Sequence, residues 1–69
     1  MGRINQITKM FGKPIAFRQG LQGEFYLTAE DKYDNPTIHL IVLTLASQKK
    51  IDVAYCDIKD GNVIVVFNK

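Results

Sequence analysis

One stretch of the chain, residues 35–50, restricts the fold more than any other. It opens with Asn-Pro and closes with Lys-Lys, and most residues between them are apolar or β-branched. Asn is a favoured helix N-cap, Pro is favoured in the first turn, and the Lys pair suits the negative end of the helix dipole. A buried strand would contain similar apolar residues, so that alternative stays open. The length and the end signals favour a helix at about residues 36–50.

Before this helix, the sequence predicts extended structure. The segment 24–29 alternates between apolar and polar residues, as a half-buried strand does. The segment 3–19 is ambiguous, because its apolar residues have helical spacing as far as Phe11, whereas Ile15 and Phe17 alternate after a Gly-Lys-Pro break. We interpret the segment 3–19 as two short extended pieces.

After the helix, the sequence predicts a hairpin. Alternation places Ile51, Val53 and Tyr55 on one strand face. Asp60-Gly61 accepts a positive φ and predicts a turn, and the strand that follows, 63–67, is apolar on both faces. We therefore expect an α+β fold, mainly β, with one helix. Its strands, four or five in number, form either an OB-like small barrel or a twisted antiparallel sheet.

We expect the short chain to form a single domain, residues 1–69, with few means of stabilising itself. A chain of 69 residues buries only about 60% of the surface that its unfolded form exposes. Its one cysteine cannot form an internal disulfide, and no Cys/His cluster offers a structural metal site. Oligomerisation or unusually good packing must supply the missing stability.

The predicted helix is apolar on two sides. Leu40 and Leu43 project away from the core stripe, beside Thr44 and Ser47, and a helix on a small sheet needs only one buried face. These four residues therefore predict the interface of a homo-oligomer. The core stripe consists of Ile38, Ile41, Val42, Leu45 and Ala46.

The residues that could carry catalysis are isolated. His39 is the only histidine and has no acid within one helical turn after it, so it lacks the partner that a general base needs. Cys56 lies in a strand pattern and behaves as a small apolar residue. The acidic segment 30–34 lacks the Gly and the Glu of a calcium loop. We expect no enzyme activity, no metal site and no cofactor.

A binding surface is the alternative to a catalytic site. Tyr26, Tyr33 and Arg18 combine aromatic rings with a guanidinium group, which suits stacking on sugar rings or on nucleobases. The net charge of +2 is too small to indicate nucleic acid alone, but the first 23 residues contain basic residues and no acid. An OB-type binder of single-stranded nucleic acid is therefore the alternative to a glycan-binding module, as is an interaction protein without a small ligand. The basic residues are Arg3, Lys9, Lys13 and Arg18.

Several segments together resemble a known family. The strand Glu24-Phe25-Tyr26-Leu27, the helix 37–50, the strand 50–56 and the Asp60-Gly61 turn are similar to those of the OB-fold receptor-binding B subunits of the subtilase-cytotoxin type. The resemblance covers residues 24–67. It implies a ring of five subunits with helices facing a central pore, and glycan recognition on the outer surface of the barrel.

The sequence also indicates a compartment. The apolar stretch 38–46 has about half of the roughly 20 residues that a membrane span needs, so we expect no membrane span. The first residues do not match a secretory signal peptide. We expect a cytoplasmic protein, unless the chain begins at a processed terminus.

Overall fold

The computed structural model describes residues 2–68, which form two α-helices and one four-stranded antiparallel sheet. This arrangement confirms the α+β prediction in its antiparallel-sheet form. The strand order is β1-β2-β4-β3, so β1 and β3 lie at opposite edges and do not pair to close a barrel. In chain order, the elements are α1 (Gly2–Phe11), β1 (Ile15–Gln19), β2 (Phe25–Ala29), a 3-10 turn (Lys32–Asp34), α2 (Asn35–Ser47), β3 (Val53–Lys59) and β4 (Asn62–Phe67).

Both helices pack on the same face of the sheet, and the core lies between the two layers. The predicted stripe of α2 is confirmed, because four of its five residues are buried and Ala46 packs against them. Burial of these apolar groups is the main favourable contribution to folding. The buried apolar residues are Ile4, Ile7, Phe25, Leu27, Ala29, Ile38, Ile41, Val42, Leu45, Ile51, Val63 and Val65.

The prediction of two extended pieces in 3–19 is wrong for the first piece, which is α1, and confirmed for the second, which is β1. The chain therefore has a second helix in addition to the predicted one. Ile4 and Ile7 are one helical turn apart, and both are buried in the core. Gly12 ends the helix with φ of 77°, a conformation that glycine adopts without steric cost.

The α2 helix begins one residue earlier and ends three residues earlier than predicted. Its N-cap is Asp34, and its end has the hydrogen bonds of a Schellman motif. The N–H of Lys50 donates to the Leu45 carbonyl at 3.0 Å, and the N–H of Lys49 donates to the Ala46 carbonyl at 3.0 Å. Lys49 therefore adopts a positive φ of 60°, where glycine is usual.

The β3–β4 hairpin is present, with a turn in which Asp60 and Gly61 have φ of 53° and 76°. β4 lies in the middle of the sheet, so β2 and β3 cover both of its edges. The prediction that Tyr55 shares a face with Val53 is wrong. A register shift between these two residues, a β-bulge, places one extra residue in β3 and turns the Tyr55 side chain to the opposite face.

Candidate binding surfaces

The sheet has one face that no helix of residues 2–68 covers, and we call it the outer sheet face. Alternating side chains point to opposite faces of a strand, so the buried Phe25 and Leu27 place Tyr26 and Thr28 on this face. Cross-strand partners share a face, which extends it over the other strands. Its residues are Ala16, Arg18, Tyr26, Thr28, Tyr55, Asp57, Lys59, Asn62, Ile64 and Val66.

Two of the three predicted ligand residues, Arg18 and Tyr26, meet on the outer sheet face. They are direct cross-strand partners, and the guanidinium carbon of Arg18 lies 4.4 Å from the centre of the Tyr26 ring. This distance is within the range of a cation–π contact. The third predicted residue, Tyr33, lies in the 3-10 turn before α2 and is 80% exposed. The predicted ligand residues therefore do not form one group, because Arg18 and Tyr26 contact each other on the sheet and Tyr33 lies in the turn before α2.

Glu24 completes this group at the end of β2. The Tyr26 hydroxyl donates to Glu24 Oε2 at 3.2 Å, and the backbone N–H of Gln22 donates to Glu24 Oε1 at 2.9 Å. Hydrogen bonds from the backbone N–H groups of Glu24 and Gln22 hold the pKa of the Glu24 carboxyl below its usual value. The hydrogen bond to Glu24 raises the pKa of Tyr26 above its usual value. A cation, a neutral phenol and a carboxylate thus lie side by side at neutral pH.

The rest of the outer sheet face combines a second tyrosine with apolar side chains. The Tyr55 ring is 51% exposed, and its hydroxyl donates to Asp57 Oδ2 at 3.1 Å. Ile64 and Val66 lie on β4 between the two tyrosine-bearing strands and are half-buried. Sequence reasoning missed this half of the face, because simple alternation puts Tyr55 on the face of Val53, whereas the β-bulge turns it to the outer sheet face.

The predicted oligomer interface lies on the side of α2 that faces away from the sheet. Leu40 is 62% exposed and Leu43 is 45% exposed. Thr44 is half-buried and its hydroxyl donates to the Leu40 carbonyl at 2.8 Å, while Ser47 is exposed. The helix contains no Asp, Glu, Lys or Arg. We call these four residues the α2 outer face, and both leucines on it are available to a partner.

His39 contacts Cys56 through the Cys56 backbone carbonyl group. His39 Nε2 lies 3.3 Å from the Cys56 carbonyl oxygen, so the tautomer that carries its proton on Nε2 donates a hydrogen bond there. Burial, with the nearby Asp57 charge, raises the pKa of the Cys56 thiol to about 11. The thiol is therefore protonated at neutral pH, and a protonated thiol is a poor nucleophile.

The acidic segment 30–34 is engaged in local contacts. Asp31 accepts a hydrogen bond from the Tyr33 N–H at 3.0 Å, and Asp34 forms an ion pair with Lys13 at 3.2 Å. Across residues 2–68, no three His, Cys, Asp or Glu side chains are grouped so that they could hold a metal ion.

The basic residues of the N-terminal part are spread over the molecule. Arg3 stacks on Phe67 with its guanidinium carbon 4.3 Å from the ring centre, and it lines a cleft with Gln19 and Gln22 at the turn end of the β1–β2 hairpin. Arg18 lies over Tyr26, whereas Lys13 pairs with Asp34. Lys13 also lies over an aromatic ring, with its Nζ 5.7 Å from the centre of the Phe11 ring, but the two arginines make the closer ring contacts.

No protein-family model, no curated protein and no solved structure matches this chain. Neither helix of residues 2–68 has the length and hydropathy that a membrane span requires. The argument for function therefore depends on the geometry of the surfaces described above.

Proposed function

We propose that this chain is a non-enzymatic, self-assembling binding module that holds a carbohydrate on its outer sheet face. The observation that carries the proposal is the Arg18–Tyr26–Glu24 group on a face that no described helix covers. Sugar hydroxyls need hydrogen-bond donors and acceptors in close proximity, and this group provides a guanidinium donor beside a carboxylate acceptor.

The two tyrosine rings on this face would contact different sugar units of a bound carbohydrate. Arg18 covers one side of the Tyr26 ring, so a sugar meets the guanidinium plane there instead of the bare ring. The Tyr55 ring is half exposed and offers an apolar plane for the ring carbons of a second sugar. Ile64 and Val66 form an apolar surface between Tyr26 and Tyr55. The face thus fits an extended oligosaccharide better than a single sugar.

Two tyrosines at different sites, the half-buried Tyr26 and the exposed Tyr33, provide a test with a control. Replacing Tyr26 with Ala should weaken binding of an oligosaccharide ligand about tenfold or more, because the stack that positions Arg18 is lost. Tyr33→Ala serves as the control, since Tyr33 is equally aromatic but lies in the turn before α2. A glycan array identifies the ligand, and titration calorimetry measures both variants. Equal losses in the two variants, or a silent array, contradict the carbohydrate proposal.

Single-stranded nucleic acid is the second candidate, because Arg18 on Tyr26 and Arg3 on Phe67 are the stacked pairs that suit nucleobases. Two arginine–phosphate contacts give a slope of about −1.4 when the logarithm of affinity is plotted against that of salt concentration. Fluorescence anisotropy of labelled oligonucleotides measures this slope, with Lys9→Gln as the control for charge alone. Absence of binding at low salt excludes this candidate. If a stable oligomer binds neither glycans nor oligonucleotides, the remaining alternative is an interaction protein without a small ligand.

Self-assembly is proposed to use the α2 outer face, and the partner is a second copy of the chain. The face contains no charged side chain, so two copies can meet on it without burying an unpaired charge. Covering Leu40 and Leu43, now 62% and 45% exposed, would remove apolar surface from water.

The test places lysines on this face. Replacing both Leu40 and Leu43 with Lys should lower the mass of the assembly at micromolar concentration while leaving the core intact, because neither side chain is buried. Sedimentation equilibrium measures the mass, and circular dichroism checks the fold. Leu21→Lys is the control, since Leu21 is an exposed leucine in the β1–β2 turn. An unchanged mass, or a monomeric parent chain, contradicts this contact.

A further inference from the structure

The two edge strands of the sheet, β1 and β3, differ in whether side chains hydrogen-bond to their outward-pointing backbone groups. On β3, His39 donates to the Cys56 carbonyl, and the Ile58 N–H donates to Asp57 Oδ1 at 2.8 Å. The backbone N–H and C=O groups of the odd-numbered residues of β3 point towards β4 in this part of the strand. Those of the even-numbered residues, Cys56 and Ile58 among them, therefore point away from β4. With its bulge and two side-chain caps, β3 is protected against pairing with another strand.

The direction of the free groups on β1 follows from the hydrogen bonds at its ends. The Gly20 N–H donates to the Glu24 carbonyl, whereas the Ala29 N–H donates to Asn35 and so points away from β1. The even-numbered residues of β1 therefore bond to β2, and the odd-numbered ones point outwards. No side chain among residues 2–68 hydrogen-bonds to the outward N–H and C=O groups, which belong to Ile15, Phe17 and Gln19.

We propose that β1 is the site where a second copy of this chain adds its own β1, antiparallel and with the two-fold axis at Phe17. In this register Phe17 pairs with the partner's Phe17, and Ile15 pairs with the partner's Gln19. All three outward residues then exchange both of their hydrogen bonds, about six in total. The two four-stranded sheets become one continuous sheet.

Side chains support a second copy as the occupant of this edge. Phe17 is 47% exposed at the edge, and the two-fold axis brings its ring against the partner's Phe17. Arg18 is the only charged residue of β1, and this register places it opposite the partner's Ala16 instead of opposite another charge. Its guanidinium remains over Tyr26 of its own chain. The strand is thus complementary to itself in its backbone and apolar groups, and this register sets no two like charges directly opposite each other.

This contact is separate from the α2 outer face, which lies on a helix on the other side of the core. A two-fold contact of this kind links copies in pairs, and a ring of five subunits cannot contain it. It joins the outer sheet faces of two copies, so each dimer presents two Arg18–Tyr26 pairs on one surface. The inference goes beyond the proposed ligand and stands whether that ligand is a carbohydrate or not.

Amide hydrogen exchange by NMR tests the proposal on the unmodified chain. The amides of Ala16 and Arg18 bond to β2, so they should be protected at every concentration. The amides of Phe17 and Gln19 should exchange freely in dilute samples and about tenfold more slowly in concentrated ones. In a sample mixed from labelled and unlabelled chains, the Hα atoms of Ala16 and Arg18 should show an intermolecular NOE, because their Cα atoms face each other at about 4.5 Å.

A proline variant tests the same contact through affinity. Gln19→Pro removes an N–H that points outwards and therefore breaks no bond to β2, as is tolerated on an edge strand. The symmetric dimer loses two hydrogen bonds, which corresponds to about a 30-fold rise in its dissociation constant. Gln19→Ala retains the N–H and should leave the constant within about threefold of the parent value.

Three results would overturn the proposal. One is free exchange of the Phe17 and Gln19 amides in a chain that sedimentation shows to be oligomeric, which would leave the α2 outer face as the contact. Another is equal dimer affinity for the proline and alanine variants when both fold. The third is a monomeric chain at millimolar concentration. If the proline variant does not fold, the intermolecular NOE between Ala16 and Arg18 in the parent chain decides the matter, and its absence counts against the contact.

Discussion

Replacing Asn35 with Ala should destabilise the fold more than any other single change to a polar residue of this chain. Asn35 is only 2% exposed, although it lies at the start of a helix. Its Oδ1 accepts a hydrogen bond from the Ala29 N–H at 3.0 Å, and its Nδ2 donates to the Gly61 carbonyl at 2.8 Å. One side chain thus joins the end of β2 to the turn of the β3–β4 hairpin.

The magnitude follows from the two backbone groups that Ala would leave without partners. Each costs about 1–3 kcal/mol when it is buried and unsatisfied, and water that reaches the site recovers part of this. We expect a loss of about 2–4 kcal/mol. A domain of this size has a free energy of unfolding of about 3.5–10 kcal/mol in total, so the variant should be close to the limit of folding.

Urea denaturation followed by circular dichroism measures this loss. With a slope of about 1 kcal/mol per molar urea, a loss of 2 kcal/mol lowers the midpoint by about 2 M. Thr37→Ala, an exposed change in the same helical turn, is the control and should move the midpoint little. A loss below about 0.5 kcal/mol for Asn35→Ala would refute the reasoning, because it would mean that both backbone groups find other partners.

Other predictions concern single groups. Iodoacetamide should alkylate Cys56 slowly at pH 8 and much faster in urea, because the folded pKa of about 11 leaves little thiolate. The lowered pKa of Glu24 contributes stability above its unfolded pKa that is lost as the pH falls through the folded value, and melting curves of Glu24→Gln should lack this loss. Gly61→Ala, at φ of 76°, should lower the free energy of unfolding by about 1–2 kcal/mol, whereas Lys49→Gly, at φ of 60°, should raise it by about 0.5 kcal/mol. Urea titrations of both variants measure these two changes in the free energy of unfolding. Changes of the same sign in both variants contradict the strain argument.

Local signals in the sequence were sufficient for the elements whose ends are marked. The Asn-Pro pair located the start of α2 to within one residue, and the Asp-Gly pair identified the turn of the hairpin, whereas the Lys-Lys pair lies beyond the last residue of the helix, Ser47. The prediction for 3–11 was wrong although its apolar residues have helical spacing as far as Phe11, because a helix of 10 residues is marginal on its own in water. Contacts with α2 decide its conformation, and those contacts are not visible in a local pattern.

The binding surface was half predictable for a related reason. Arg18 and Tyr26 were chosen for their chemistry, and strand pairing brings them together. The turn between β1 and β2 sets this register, and the sequence alone does not fix it. Tyr55 was placed on the wrong face because a bulge depends on the partner strand, and β4 is the strand that provides the two-against-one pairing.

The position of β4 has a consequence for how the protein is made. β2 pairs with β4 through Leu27 and Val63, so the middle of the sheet requires a segment that the ribosome adds only after all the others described here. Until then β2 has only its neighbour β1, and a two-stranded hairpin is marginal in water. The apolar residues of β2 therefore lack their partner strand in the sheet until β4 has been made, and the complete core can form only after that.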